Sequence, residues 1–544
     1  MDHNTMQTYD YDASALLESG GGVLGFELGS TRIKCTLIGP DYRPLASGSF
    51  GWENKFENGV WTYDLEEVWS GVAACFADLV SNVNKEYNVK LTRISGGGFS
   101  AMMHGYLAFD KDDNLLVPFR TWRNNITGEA SSELTKLFDY PVPQRWSIAH
   151  LYQAILNGEE HVGRIARLTT LAGYVHWKLT GEHVIGIGDG SGMFPINPET
   201  QDYDETLLKK FDEHIADRGF SWNMRELLPR IVPAGEVAGT VTEEGARLLD
   251  PSGGIETGFP LCPPEGDAGT GMVATNSIET RTGNVSAGTS VFAMLVLEEK
   301  LSRVHPEIDL VLTPDGKPVG MAHSNNCTSD FDAWISLFVQ AAKALGTNVT
   351  QDDVFGSLIP LGLKGDADAG GLLSYGYVSG EHMTGFSEGR PLFVRFPDSA
   401  FTLENFVRSH LFSALCALRT GLDILTKDEG VQVEEIRGHG GFFKTPEVGQ
   451  KIMAAATETP IRVLDTAGEG GAWGMGLLAA FMVRDEKSMN LPGFLQLVFA
   501  DSMGTVIKPD PQDVKGFKQY FERYTQGLPI ERAAVEQLPT GGLS

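Results

Sequence analysis

Short apolar runs closed by glycine-rich turns alternate along this chain with stretches whose apolar residues recur at helical spacing. Val23–Leu28 is β-rich and ends in Gly29-Ser30-Thr31; a second run, 33–38, follows at once. Gly39-Pro40-Asp41 is a turn signal and 45–50 can form a third strand, so an antiparallel meander is predicted. The pattern returns further on, with a strand over 283–287, the turn Gly288-Thr289-Ser290 and a strand over 291–297. Residues 65–80 carry Val68, Trp69, Val72, Cys75, Phe76 and Leu79 on one helical face, and 406–425 gives a similar stripe. The stretch 475–483 is apolar all round, which predicts a buried helix. Strands interleaved with helices place the chain in the α/β class.

At 544 residues, two domains are the expectation, and two related hairpins suggest related domains facing each other across a cleft, where substrates tend to bind. Lys plus Arg total 43 against 71 Asp plus Glu, a net charge of −28 that argues against nucleic acid or an anionic membrane as partner. Backbone N–H groups and a metal ion can still hold phosphate on such a chain. The five cysteines are scattered with no zinc-like spacing, consistent with free thiols in a reducing compartment. Residues 1–20 are polar and acidic and lack the basic start and apolar core of a secretion signal.

Four segments are candidates for holding phosphate. In Glu27-Leu28-Gly29-Ser30-Thr31 the carboxylate at a strand end can bind Mg²⁺, while the glycine lets main-chain N–H groups and hydroxyls approach an anion. Gly288-Thr289-Ser290 repeats that logic; an ordinary hairpin turn is the competing reading of each. Gly438, Gly440 and Gly441 after Ile436 read as strand, tight turn and helix, pointing a helix N-terminus at an anion. Gly468-Glu469-Gly470-Gly471 leads into the apolar helix, and for both glycine runs a plain strand–helix connection competes. The G-x-G-x-x-G match at 20–25 enters a strand instead of leaving one, so it fails the required context.

Acid–base chemistry points to Pro264-Glu265-Gly266-Asp267-Ala268-Gly269. An Asp flanked by glycines on a tight backbone can take a proton from a hydroxyl, and an Asp capping the next helix is the alternative. Met103-His104-Gly105 after a strand over 94–99, and Trp122-Arg123-Asn124, offer the mix of apolar faces and fixed polar groups that sugars need. Trp334 could stack on adenine, with core packing as the competing reading.

Taken in order, these segments resemble the FGGY family of carbohydrate kinases from about residue 22 to about 500. The family's opening motif looks like Gly25-Phe26-Glu27-Leu28-Gly29-Ser30-Thr31-Arg32-Ile33-Lys34, with Glu27 where the family has Asp. Met103-His104-Gly105 matches the xylulokinase-like sugar strand, and Trp122-Arg123-Asn124 resembles the Trp-x-Asp sugar motif with Asn in place of Asp. Residues 174–182 with Gly188-Asp189-Gly190-Ser191 resemble the middle signature, and 228–246 is also family-like. Gly266-Asp267 falls where the family places its catalytic base. Ser379-Gly380-Glu381 matches a family segment, and Gly440-Gly441 with Gln450 and Ala454 resembles the adenosine motif.

The resemblance implies two ribonuclease H-like (actin-like ATPase) domains flanking a cleft. The arrangement expected is a flexible leader over 1–20, a sugar-binding N-terminal domain over 21–280, a nucleotide-binding C-terminal domain over 281–505 and a C-terminal extension over 506–544. It implies ATP and Mg²⁺ as cofactors, with Glu27 as metal ligand and Asp267 as base. Met103, His104, Trp122, Asn124 and Asp267 would hold the sugar; Gly29, Ser30, Thr31, Lys34, Gly288, Thr289, Ser290, Gly440 and Gly441 would hold the nucleotide. The expected chemistry is cytoplasmic phosphorylation of the terminal hydroxyl of a ketopentose, leaning to L-ribulose over D-xylulose or another polyol. A homodimer is allowed but not required. An actin-like ATP-binding sensor or assembly module without sugar turnover remains the alternative from another class.

Overall fold

The computed structural model describes residues 11–539 apart from Ala467, Lys487 and Met503. The chain divides into two compact units: Met1–Ile278 with Leu310–Pro318 and Glu469–Asp501, and Glu279–Asp309 with Val319–Gly468 and Ser502–Ser544.

The first unit is built on a seven-stranded sheet. One side of it is the meander β1 (Val23–Leu28), β2 (Arg32–Ile38) and β3 (Pro44–Gly51), each antiparallel to the next. Helix α1 (Leu65–Tyr87) covers this sheet with Val68, Val72, Cys75, Phe76, Leu79 and Val83 buried. It runs beyond the predicted 80 because Val83 continues the apolar stripe, and it stops at Asn88 in the left-handed conformation. Strand β4 (Gly96–Ala101) pairs in parallel with β1, placing Glu27 beside Ser100. The short strand β5 (Glu265–Gly266) pairs with the end of β4 and runs straight into helix α2 (Asp267–Ala274). Two chain segments far apart in sequence thereby end side by side.

The second unit repeats the hairpin. β6 (Thr282–Ala287) and β7 (Val291–Val296) are antiparallel, and β8 (Pro318–Ser324) pairs with β7. Helix α3 (Ser329–Ala344) follows β8, and α4 (Leu403–Asp423) crosses the core with nearly every side chain buried. Strand β9 (Glu435–His439) is parallel to β6, with Ser286 opposite His439, and β10 (Ile461–Val463) follows helix α5 (Val448–Thr457).

Helix α6 (Gly470–Val483) packs in the first unit. It is apolar all round and lies directly on β1: a Cβ on Gly25 would sit 2.0 Å from Ala472 O. A helix with no polar face must be enclosed, and β1 and β4 supply that enclosure. The region 506–544 is no appendage where described: β11 (Thr505–Ile507) pairs with β10, and α7 (Pro511–Gln537) buries Phe517, Tyr520 and Tyr524. Tyr520 Oη donates to Ser409 O on α4 at 2.8 Å. Of the expected leader, a helix over Ala13–Glu18 buries Leu17, so 11–20 is ordered; residues 1–10 and 540–544 lie outside the described residues. Among the described residues no helix is long and apolar enough to cross a membrane.

Candidate active site

The Gly29–Thr31 turn closes with Gly29 N–H donating to Arg32 O at 3.1 Å. Its three carbonyls are all taken by side chains or main chain from elsewhere. Trp52 Nε1 donates to Gly29 O at 2.7 Å, Tyr63 Oη to Ser30 O at 2.6 Å and Trp52 N to Thr31 O at 3.2 Å. The hydroxyls of Ser30 and Thr31 make no hydrogen bond among the described residues. A turn whose carbonyl dipoles are held elsewhere, with hydroxyls uncommitted, is suited to an anion. Trp52 and Tyr63 carry no motif in the sequence and were not found by reading it.

Glu27 precedes this turn on β1, opposite exposed Lys34 on β2. The first N–H groups of α6, from Gly471 and Ala472, donate to its carboxylate. The helix start predicted to hold an external anion is therefore already committed to Glu27. Gly471 is needed there, since a Cβ would lie 2.4 Å from Glu27 Oε1.

The predicted sugar strand and base meet. Met103 N–H donates to Asp267 Oδ1 at 3.2 Å. A Cβ on Gly266 would fall 2.1 Å from Met103 Cγ, so only glycine permits that approach. Asp267 is the first residue of α2, with Gly266 as its cap. His104 is buried in the left-handed region (φ 70°), with Nδ1 3.3 Å from Gly192 O and its ring stacked at 6.4 Å on Trp146.

Two further carboxyls flank Asp267. Glu265 is buried and accepts N–H bonds from Gly188 and Asp189 at 3.2 and 2.8 Å. Asp189, also buried, accepts from Thr170 Oγ1 at 2.6 Å, while its Oδ1 has no partner among the described residues. Desolvation raises all four carboxyls: Asp267 to about 6, Glu27 and Asp189 to about 7 and Glu265 to about 8. The charge of Asp267 adds to the rise of Glu27 and Asp189, and that of Asp189 to the rise of Glu265. Glu265 gives no signal in the sequence beyond adjoining Gly266-Asp267.

The Trp122-Arg123-Asn124 segment behaves differently from expectation. Asn124 is buried and spends its amide on main chain: Oδ1 accepts from Trp61 N, and Nδ2 donates to Trp61 O and Thr121 O. It clasps the strand over Val60–Thr62 instead of reaching toward a ligand. Trp122 is half-buried against the core, and the Arg123 guanidinium sits 3.9 Å from the centre of the Trp61 ring.

In the second unit, the Gly288–Ser290 turn closes with Gly288 N donating to Ser290 O at 2.9 Å. Its carbonyls are tied down as in the first unit: Gly288 O accepts from Thr328 N and Oγ1, and Thr289 O from Cys327 N and Ser329 Oγ. Gly440 (φ 97°) packs on the residue before this turn, where a Cβ would lie 2.4 Å from Ala287 O; around Gly441 there is open space within 4 Å. The predicted strand, tight turn and helix follow in order, but the helix does not start at the glycines: Gly441–Phe443 makes one tight turn, and α5 begins only at Val448, because Pro446 disfavours helix at Thr445 and Glu447 has φ 65°. Gln450, expected near adenosine, donates from Nε2 to Ile461 O and Thr505 O, tying β10 to β11. Trp334 packs edge-on against Phe406 at 5.1 Å, the core reading.

The N-terminal domain model of the FGGY family of carbohydrate kinases matches residues 22–273, and its C-terminal domain model matches 283–483. The chain is 22% identical over 467 residues to a xylulose kinase of Haemophilus influenzae, covering 80% of this chain and 84% of that protein. It is 22% identical over 461 residues to a gluconokinase of Bacillus subtilis, covering 81% and 84%. Among solved structures, a ligand-bound xylulose kinase from Lactobacillus acidophilus superposes with a TM-score of 0.76 at 17% identity, over 96% of this chain and 100% of that one. Plasmodium falciparum glycerol kinase with ADP gives 0.72 at 16% identity, over 93% and 97%.

Proposed function

The chain belongs to the FGGY family of carbohydrate kinases, and we propose that it transfers the γ-phosphate of ATP to the terminal hydroxyl of a ketopentose, with Asp267 as general base. The observation that carries this reading is the bond from Met103 N–H to Asp267, which joins the base to the sugar strand. At pH 7 a carboxyl raised to about 6 is mostly ionised, yet it is a stronger base than an ordinary Asp. It takes the hydroxyl proton as the sugar oxygen attacks phosphorus.

Met103 and His104 border the sugar, with Trp122 behind them and Asn124 as a brace for the adjoining hairpin. In the first unit the Gly29–Thr31 turn and Lys34 are suited to phosphate; in the second unit the Gly288–Ser290 turn with Gly440 and Gly441 is suited to nucleotide. No three His, Cys, Asp or Glu side chains among the described residues converge as a self-sufficient metal site. A Mg²⁺ that arrives on ATP keeps several waters and needs only one or two carboxylates, so Glu27 fits it. When bound, it would neutralise charge on the transferring phosphate.

Relatives named xylulose kinase support a ketopentose and lend no support to the lean toward L-ribulose. The test is sugar-dependent ADP release from ATP-Mg²⁺ over D-xylulose, L-ribulose, D-ribulose, L-xylulose, glycerol and gluconate. Release with one ketopentose establishes the reading; release only with glycerol or gluconate refutes the substrate class.

A further inference from the structure

The Gly288–Ser290 turn is fixed by a relay that ends on a carboxyl the reaction does not use. We infer that Glu381 is a positioning residue for nucleotide phosphate, acting on that turn through Ser324 and Asn326. The inference rests on the reading of Gly288–Ser290 as a phosphate turn.

Glu381 is wholly buried. Its Oε2 accepts from Ser324 Oγ at 2.8 Å, Asn326 N at 3.3 Å and Asn326 Nδ2 at 3.1 Å. Asn326 Oδ1 in turn accepts from Ser379 N and Oγ, both at 3.1 Å, and Asn325 Nδ2 donates to Gly380 O at 2.8 Å. The loop leaving β8 is thus bolted along its length to Ser379-Gly380-Glu381. That segment is closed on itself, with Glu381 N donating to Phe386 O at 2.8 Å and Phe386 N to Glu381 O at 3.0 Å.

Cys327 and Thr328 of that loop, with Ser329 at the start of α3, hold the turn. Cys327 N donates to Thr289 O at 3.0 Å, Thr328 N to Gly288 O at 3.2 Å, Thr328 Oγ1 to Gly288 O at 2.9 Å and Ser329 Oγ to Thr289 O at 3.2 Å. A free carbonyl that swings toward a phosphate repels it, so turning both carbonyls away preorganises the N–H groups and hydroxyls. Burying a carboxyl is costly unless its hydrogen bonds are made. Here one carboxyl oxygen gathers three donors at the root of the loop, which a neutral apolar residue could not do. Tyr63 and Trp52 serve the first unit's turn directly; in the second unit the same task is passed through two residues.

The test is calorimetric titration with MgADP, alongside KM for ATP and for the sugar found active. Glu381→Ala is expected to weaken MgADP and raise KM for ATP by about tenfold while KM for sugar moves by less than about twofold. Glu381→Gln, which keeps an acceptor oxygen, is expected to restore affinity to within about threefold of wild type. A folded Glu381→Ala protein that binds MgADP like wild type overturns the inference, as does an equal rise in both KM values. Should that variant not fold, Ser324→Ala and Asn326→Ala test the relay from its other end, and wild-type MgADP affinity in both overturns it. Failure of the wild type itself to bind MgADP instead overturns the phosphate reading of the turn, and this inference with it.

Discussion

Met103 N–H and Asp267 Oδ1 are 3.2 Å apart although 164 residues separate them in the chain. The contact exists because β5 ends beside β4 and because Gly266 has no side chain to keep Met103 away. It locks the carboxylate of Asp267 to the Met103 segment proposed to border the sugar.

Replacing Asp267 with Asn keeps an acceptor for Met103 N–H and removes the base. Steady-state assays are expected to show turnover lower by about two to four orders of magnitude. Thermal unfolding should change little, and KM for ATP should stay near wild type.

The proposed reaction needs Asp267 ionised. With its carboxyl raised from 3.8 to about 6 by desolvation, kcat/KM is expected to climb through about pH 6 and level off above it. Below that midpoint the slope should approach one decade per pH unit, by the order-of-magnitude behaviour of a single group.

Glu265 gives a stability signature of the opposite sense from an ion-paired carboxylate. Its folded-state pKa, about 8 against an ordinary 4.5, means that the folded chain keeps a proton which the unfolded chain has released. That contribution is complete below about 4.5 and is lost as pH rises through about 8. Melting temperatures measured across this window should fall more steeply with pH for wild type than for Glu265→Gln.

Asn124→Asp would put the family's residue back and should be harmful here. The Nδ2 donor to Trp61 O and Thr121 O would become an acceptor facing two carbonyls. Denaturant unfolding is expected to show a loss of about 1–3 kcal/mol, the usual cost of unpaired buried polar groups.

Much of this was legible in the sequence where a residue's role is local. The meander, the second hairpin and the helix from Leu65 follow from apolar periodicity and turn residues, and the structure repeats them with small shifts. Asp267 stood out because glycine precedes it, and His104 because it follows a strand. What could not be read depends on distant partners. Trp52 and Tyr63 look like core aromatics, and only the fold brings them to Gly29 O and Ser30 O. Asn124 looked like a sugar ligand because its Trp61 partner lies 63 residues away. The apolar run in α6 announces burial without saying that β1 is what it packs on.

The most direct measurement is mass-spectrometric detection of sugar phosphate formed from ATP-Mg²⁺ and D-xylulose or L-ribulose, by wild type and by Asp267→Asn, with MgADP affinity measured on both. The account predicts a ketopentose phosphate from wild type, at least about a hundredfold less from the variant, and equal MgADP affinity. Sugar phosphate formed by the variant at the wild-type rate, or ATP hydrolysis with no phosphorylated sugar, would contradict it.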